Sequence, residues 1–165
     1  MRLDLEHADG GDWRELLPHH GSALLRESLI DPDEADATFT RLMDEIPWQS
    51  HDLVLFGKKM TEPRLSAWVA DDGVSYSYSG VRRVPETWTP TLTELRQLCE
   101  STLASRFPGV AFNSVLANLY RSGDDSMGWH ADDEPELGPT PVIASLSFGD
   151  ERRFDFRHRT SGETV

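Results

Sequence analysis

The chain has few of the features that mark secreted or membrane proteins. Cys99 is its only cysteine, which excludes an intramolecular disulfide and is typical of a reducing compartment. No apolar run approaches the roughly 20 residues that a membrane-spanning helix needs. The acidic N-terminal segment lacks the basic start and apolar centre of a signal peptide. We therefore expect no membrane partner and a cytoplasmic location, or a nuclear one in a eukaryote.

Positive charge is also scarce. The sequence has 29 acidic and 16 basic residues, a net charge of -13, whereas binding to a phosphate backbone needs Lys and Arg. The excess of acidic residues is uneven along the chain, because residues 1–50 hold 12 of the acids and only 4 of the bases. Basic pairs follow later, at Lys58-Lys59, Arg82-Arg83 and Arg152-Arg153. A local basic rim therefore keeps a nucleic-acid partner open.

The apolar pattern predicts two helices followed by strands. One helix begins at Asp31-Pro32 and ends at Pro47, and a second begins at Thr89-Pro90 and ends before Pro108. The predicted helix faces are Ala35, Phe39, Leu42, Met43 and Ile46, then Leu92, Leu95, Cys99, Leu103 and Phe107. Strands are predicted at Leu53–Phe56, Leu65–Ala70, Val74–Ser79, Phe112–Arg121, Val142–Phe148 and Phe154–Arg159. This order indicates an α+β domain at residues 31–165, preceded by an acidic N-terminal extension at residues 1–30.

His130 and Asp132 form an H-x-D tripeptide that predicts part of a metal site. On a strand, residues two apart project from the same face, so one imidazole and one carboxylate can reach one point. Iron(II) oxygenases bind their metal with two histidines and one carboxylate on one side of the ion. Alone, the tripeptide is more often an ordinary surface segment. Asn118 and Tyr120 share a face of an upstream strand, lining either a polar cavity or solvent.

The stretch NSVLANLYRSGDDSMGWHADDEPELGPTPVIASLSFGDERRFDFRHR resembles the catalytic core of AlkB-family dioxygenases, in the branch that repairs duplex DNA. The motifs N-x-Y, H-x-D and IASLSFG occur in that family's order, and LVLFGK, EPR and YSYSG upstream are also similar. The likeness covers about residues 50–159. It implies a double-stranded β-helix, a cupin-like jelly roll supported by the two N-terminal helices. It also implies His130 and Asp132 as Fe(II) ligands, and Asn118 and Tyr120 as partners of the cosubstrate 2-oxoglutarate.

The resemblance also implies residues that contact a flipped base. Tyr78 would stack on the base beside Tyr76, Phe56 would fill the gap left in the duplex, and Arg64 would lie near the lesion. Asp133 and Glu134 would favour a cationic alkylated base over a neutral one. Each has a structural alternative: half-buried tyrosines, a buried strand end, a surface arginine on phosphate and a solvated acidic turn.

The family pattern also has a second metal histidine, followed by an arginine that pairs with 2-oxoglutarate. His158 is the only histidine after Asp132, and it matches an earlier family strand, so we do not assign it as a ligand. Arg157 and Arg159 do not match the cosubstrate arginine. We therefore expect the domain to be C-terminally incomplete and, alone, to bind iron weakly.

The sequence thus predicts oxidative dealkylation of N-alkylated bases such as N1-methyladenine and N3-methylcytosine. The partner is alkylated DNA, with RNA as an alternative, and formaldehyde, succinate and CO2 are the products. No stable protein partner is inferred. The alternatives are a related oxygenase acting on RNA or protein, a non-catalytic module that binds damaged bases, and a cupin-like structural domain.

Overall fold

The computed structural model describes residues 13–19, 21–55, 58–74, 76–78 and 81–165. Within these ranges the chain forms short strands and two helices of 14 residues each. The strands are β1 (Arg14–Glu15), β2 (Leu24–Leu25), β3 (Asp52–Leu55), β4 (Lys58–Thr61), β5 (Leu65–Ala70), β6 (Tyr76–Tyr78), β7 (Val81–Arg83) and β8 (Ser114–Leu119). The helices are α1 (Pro32–Glu45) and α2 (Pro90–Leu103), and a 3-10 turn follows at Pro135–Leu137.

Helix α1 begins where its sequence predicts. The Asp33 amide donates to the Asp31 carboxylate at 3.0 Å, so Asp31 caps the helix and Pro32 occupies a first position that has no amide to satisfy. Leu42 and Ile46 are buried as expected. Met43 is 38% exposed, so its predicted place on the buried face is wrong.

Helix α2 is capped by Thr89, whose hydroxyl accepts the Leu92 amide at 3.2 Å. Leu92 and Leu95 are buried, and Leu98 takes the inner position that the pattern assigned to its neighbour Cys99. The helix ends at Leu103, which leaves Phe107 beyond it and 37% exposed. The buried apolar face of α2 therefore consists of residues three apart, Leu92, Leu95 and Leu98, and it does not continue to Cys99 as predicted.

Strand β5 is the best-buried strand that the structure describes. It pairs antiparallel with β8, in a register that sets Leu65 opposite Leu119 and Ala70 opposite Ser114. Its other edge is bridged by Gln49 and Glu86, so its backbone groups are bonded on both sides. Residues 66–70 are accordingly buried without a break. This continuous burial explains why LSAWVA lacks strand alternation.

Two predicted strands are corrected by the structure. Residues 142–148 have no strand pairing, and Val142 and Ile143 are 38% and 55% exposed. Residues 154–159 form no strand either, although Phe156 and Val165 exchange backbone hydrogen bonds across a turn. Apolar alternation supplies the side chains of a strand, but a strand also needs a neighbour for its amides and carbonyls. Neither segment has such a ladder within the described residues.

The chain divides into two compact units. One comprises residues up to 41 together with 146–165, and the other is Leu42–Ser145. The first contains the β1–β2 hairpin, so part of the predicted extension has local structure. The second contains α2 and the strands from β3 to β8. Small antiparallel sheets and two helices agree with the α+β prediction. Among the described residues, no helix is long and apolar enough to cross a membrane.

Candidate metal and cosubstrate site

His130 and Asp132 lie side by side. His130 Nε2 is 3.6 Å from Asp132 Oδ1, and the side chains are 46% and 52% exposed. They lie outside the strands, so the predicted strand geometry is wrong although the proximity is as expected. His130 Nδ1 is 2.9 Å from the Gly128 carbonyl oxygen. A carbonyl only accepts, so Nδ1 is the nitrogen that donates to Gly128, and Nε2 is the nitrogen on the side of Asp132.

This donor set fits a divalent iron ion. Two donors about 2.1 Å from one metal and at right angles lie about 3.0 Å apart, so a small side-chain adjustment closes the gap. A ligating imidazole usually donates its other N–H to a carbonyl or carboxylate, as His130 does to Gly128. Half-exposed ligands leave room for further groups on the metal. Within the described part of the chain, no group of three or more His, Cys, Asp or Glu side chains is close enough to hold a metal.

Asn118 and Tyr120 lie at the C-terminal end of β8. Asn118 is opposite Ser66, and its side chain is exposed, which fits both a cavity-lining amide and a solvent-facing one. Tyr120 directly follows the strand and is half-buried. The opposite face holds Val115, Ala117 and Leu119, which are all half-buried, so the strand alternates as its sequence predicts.

Arg64 and Glu62 form a buried ion pair beside Tyr120. Arg64 Nε donates to Glu62 Oε2 at 3.2 Å, and the side chains are only 5% and 3% exposed. Burial lowers the pKa of Arg64, but hydrogen bonds to Tyr120 and Glu62 and the Glu62 charge outweigh it and leave the pKa raised. The interior location does not support the alternative of a surface arginine on phosphate.

The loop from β8 to His130 is held at two points. The Asp125 carboxylate accepts hydrogen bonds from the Arg121 amide, Nε and Nη2 at 2.8–2.9 Å. These bonds and the Asp125 charge raise the pKa of Arg121. The Ser126 amide donates to the Pro63 carbonyl at 2.9 Å. Four residues span at most about 14 Å, so His130 lies within about that distance of Ser126, which is bonded to the segment before β5.

The residues predicted to contact the base are only partly described. Asp133 is exposed and Glu134 is half-buried, directly before the turn at Pro135–Leu137. Tyr76 and Tyr78 belong to β6, which pairs with β7, but their side chains lie outside the described structure. Phe56 lies outside the described residues. The base-contact predictions therefore stay predictions.

A separate groove runs along the other edge of β5. Its volume is about 280 Å³, and Gln49, His51, Ser66 and Glu86 are among the residues that line it. None of the residues predicted for the metal or cosubstrate lines this groove. The candidate site is therefore identified by the His130 and Asp132 side chains and not by this groove.

Residues 22–165 match the 2OG-Fe(II) oxygenase superfamily. The chain belongs to this family. Membership implies Fe(II) as the metal and 2-oxoglutarate as the cosubstrate, which agrees with the His130 and Asp132 donor set.

Individual curated relatives show which members of the family the chain is similar to. The chain is 40% identical over 154 residues to mouse "DNA oxidative demethylase ALKBH2", covering 91% of this chain and 62% of that protein. The human protein of the same name is 37% identical over 158 residues, 94% of this chain and 58% of the relative. Bovine "Alpha-ketoglutarate-dependent dioxygenase alkB homolog 3" is 39% identical over 135 residues, 81% and 45% of the two chains. The chain thus spans about half the length of the relatives it matches.

Sequence reasoning missed the residues that support the site. Glu62 belongs to a noted motif, EPR, but its burial against Arg64 was not foreseen. Asp125 lies in SGDDS, where Asp and Ser indicate a turn. Composition does not reveal that Asp125 rather than Asp124 binds Arg121, because both acids fit the same loop.

Proposed function

We propose that this chain belongs to an enzyme that oxidatively dealkylates N-alkylated bases in nucleic acid, with DNA as the substrate. The observation that best supports this proposal is the His130–Asp132 pair. Nε2 of His130 and Oδ1 of Asp132 are 3.6 Å apart, and Nδ1 of His130 is hydrogen-bonded to the Gly128 carbonyl. The family and the relatives named DNA oxidative demethylase support the same reaction. We further propose that the domain folds as a double-stranded β-helix.

Each side chain has a separate task in this proposal. His130 and Asp132 would hold iron(II), and Asn118 and Tyr120 would donate hydrogen bonds to a 2-oxoglutarate carboxylate, since ionised acceptors form the stronger bonds. When bound, iron and 2-oxoglutarate supply the oxidation of an N-alkyl group by dioxygen, with formaldehyde, succinate and CO2 as products. The protein contributes orientation and a shielded site.

The base would leave its stack to reach the metal, because a duplex encloses its alkyl groups. Tyr76 and Tyr78 would stack on it, and Phe56 would occupy the gap in the duplex. Asp133 and Glu134 follow the metal carboxylate directly, where their charge would favour a cationic methylated base over the neutral product.

The test begins with binding. The chain is mixed anaerobically with Fe(II) and 2-oxoglutarate, and the visible charge-transfer band of the chelate is measured. We expect a band in the native chain that is lost in His130→Ala. The matched control is His158→Ala, because His158 hydrogen-bonds Ser161 in the other unit and has no proposed role at the metal.

Turnover is then measured as succinate released with DNA and RNA oligonucleotides that carry N1-methyladenine. Lesion-dependent succinate with DNA supports the proposal, and equal rates with RNA would remove the DNA preference. If His130→Ala and His158→Ala lose the band equally, the metal assignment is wrong.

A module that binds damaged bases without turnover is the second candidate. It is favoured by the presence of only two close ligands, His130 and Asp132, among the described residues. Lesion-dependent binding of an oligonucleotide without succinate release would select it.

A further inference from the structure

Arg64 is a buried cation committed to two acceptors within the protein. Its Nε binds Glu62 at 3.2 Å in a pair whose side chains are 5% and 3% exposed. The β5–β8 register sets Leu65 opposite Leu119, and one further step places Arg64 opposite Tyr120, to which it hydrogen-bonds. Moving the guanidinium outward would leave the Glu62 carboxylate buried without this cation, which is costly.

The chemistry of this contact restricts Tyr120. A guanidinium has donors and no acceptor, so the phenol oxygen can only accept from Arg64. The Tyr120 proton therefore points away from Arg64 and is directed to a different acceptor. A carboxylate has only acceptors and matches that direction. Since Glu62 balances the Arg64 charge, the pair orients the Tyr120 hydroxyl and adds little long-range attraction for the cosubstrate.

We propose that Arg64, held by Glu62, is a positioning residue that fixes the Tyr120 hydroxyl as a hydrogen-bond donor to a carboxylate of 2-oxoglutarate. This inference rests on the proposed function and extends the cosubstrate site to the segment before β5. The Ser126–Pro63 backbone bond links the same segment to the loop that carries His130.

The first test removes both charges together. Removing one partner of a buried pair strands the other, whereas replacing both by apolar side chains is often tolerated. The double variant Glu62→Leu/Arg64→Met should therefore fold. Affinity for 2-oxoglutarate is measured calorimetrically on the whole chain, with Mn(II) as a redox-silent metal. We expect it to fall about tenfold, the usual effect of losing a hydrogen bond to a charged group.

The matched control is Arg96→Met. It removes another arginine ion pair of the same unit, Arg96–Asp71 at 3.0 Å, which lies beyond the Ala70–Ser114 end of the β5–β8 pair, whereas Arg64 lies beyond the Leu65–Leu119 end. Its affinity for 2-oxoglutarate should stay within about twofold of the native value.

A double-mutant cycle separates positioning from general support. Tyr120→Phe alone should weaken 2-oxoglutarate binding to a similar extent. Adding Glu62→Leu/Arg64→Met to Tyr120→Phe should then cause no further loss, because Arg64 acts through the phenol that is already absent. Independent effects would multiply to about a hundredfold, and that result would overturn the proposal.

A spectroscopic readout reports the contact without turnover. The chain has three tyrosines, so 3-fluorotyrosine gives three fluorine resonances, and the Tyr120 signal is the one missing in Tyr120→Phe. It should shift in the double variant and when 2-oxoglutarate binds the native chain, but not in Arg96→Met. If the native chain and the double variant bind 2-oxoglutarate equally, the positioning role is wrong and the proposed function stands. If the native chain binds none, both are overturned.

Discussion

The Glu62–Arg64 pair predicts a specific pattern of stability changes. Arg64→Met would remove the cation paired with a carboxylate that is 3% exposed, and Glu62→Leu would remove the carboxylate paired with a guanidinium that is 5% exposed. A stranded buried charge costs about 3–5 kcal/mol. We use the lower end, about 3 kcal/mol for each single variant, because the pair lies beside the exposed Pro63 at a strand end. Removing both charges should cost about 1 kcal/mol or less.

The assay is equilibrium unfolding in urea, followed by the fluorescence of the five tryptophans. Arg14→Met is the control, because the Arg14–Glu27 pair has the same 3.2 Å separation but side chains that are 66% and 75% exposed. Loss of the Arg14–Glu27 pair should change the free energy of unfolding by less than about 0.5 kcal/mol. The reasoning is refuted if the double variant loses the sum of the two single losses, since the charges would then act independently.

Three further predictions concern the loop, the helices and the cysteine. Asp125→Ala should weaken Mn(II) binding up to about tenfold by loosening the segment before the metal histidine, whereas the exposed Asp124→Ala should not; equal effects in a calorimetric titration would contradict this. Glu45→Ala removes a carboxylate that accepts two hydrogen bonds at the start of α2. It should lower the free energy of unfolding by about 2 kcal/mol in urea, and a matching loss in Asp44→Ala would count against that contact. Burial, and then the neighbouring acidic charge, raises the pKa of Cys99 to about 11. Iodoacetamide at pH 8 should therefore label the folded thiol about 100-fold more slowly than the unfolded one, and similar rates would disprove its burial.

The Cys99 shift also sets a pH dependence of stability. The folded thiol holds its proton more tightly than the unfolded one, whose ordinary pKa is 9.0. The unfolded chain therefore loses protons first, and this contribution is present below pH 9.0 and declines as pH rises towards about 11.

Local features could be predicted because they depend on neighbours in sequence. The N-caps at Asp31 and Thr89 follow from side chains that bond amides two or three residues ahead. The apolar content of residues 65–70 predicted β5 with its correct limits. The proximity of His130 and Asp132 follows from a spacing of two residues, and it is present outside any strand.

Strand pairing could not be read from the same patterns. The segments 142–148 and 154–159 have the apolar content of strands but form none, because a ladder needs a second segment. Apolar alternation specifies which face is buried and leaves the partner open.

The sequence by itself determined the family motifs, the helix starts and the spacing of the metal pair, since all of these are set over a few residues. Only the tertiary structure decided that Arg64 faces inward to Glu62 and Tyr120, and that Asp125 holds the loop before His130. The physical reason is burial: an arginine is suited equally to phosphate at the surface or to a carboxylate in the interior. The choice is shown by the Arg64–Glu62 pair, whose side chains are 5% and 3% exposed, just before the Leu65–Leu119 end of the β5–β8 register.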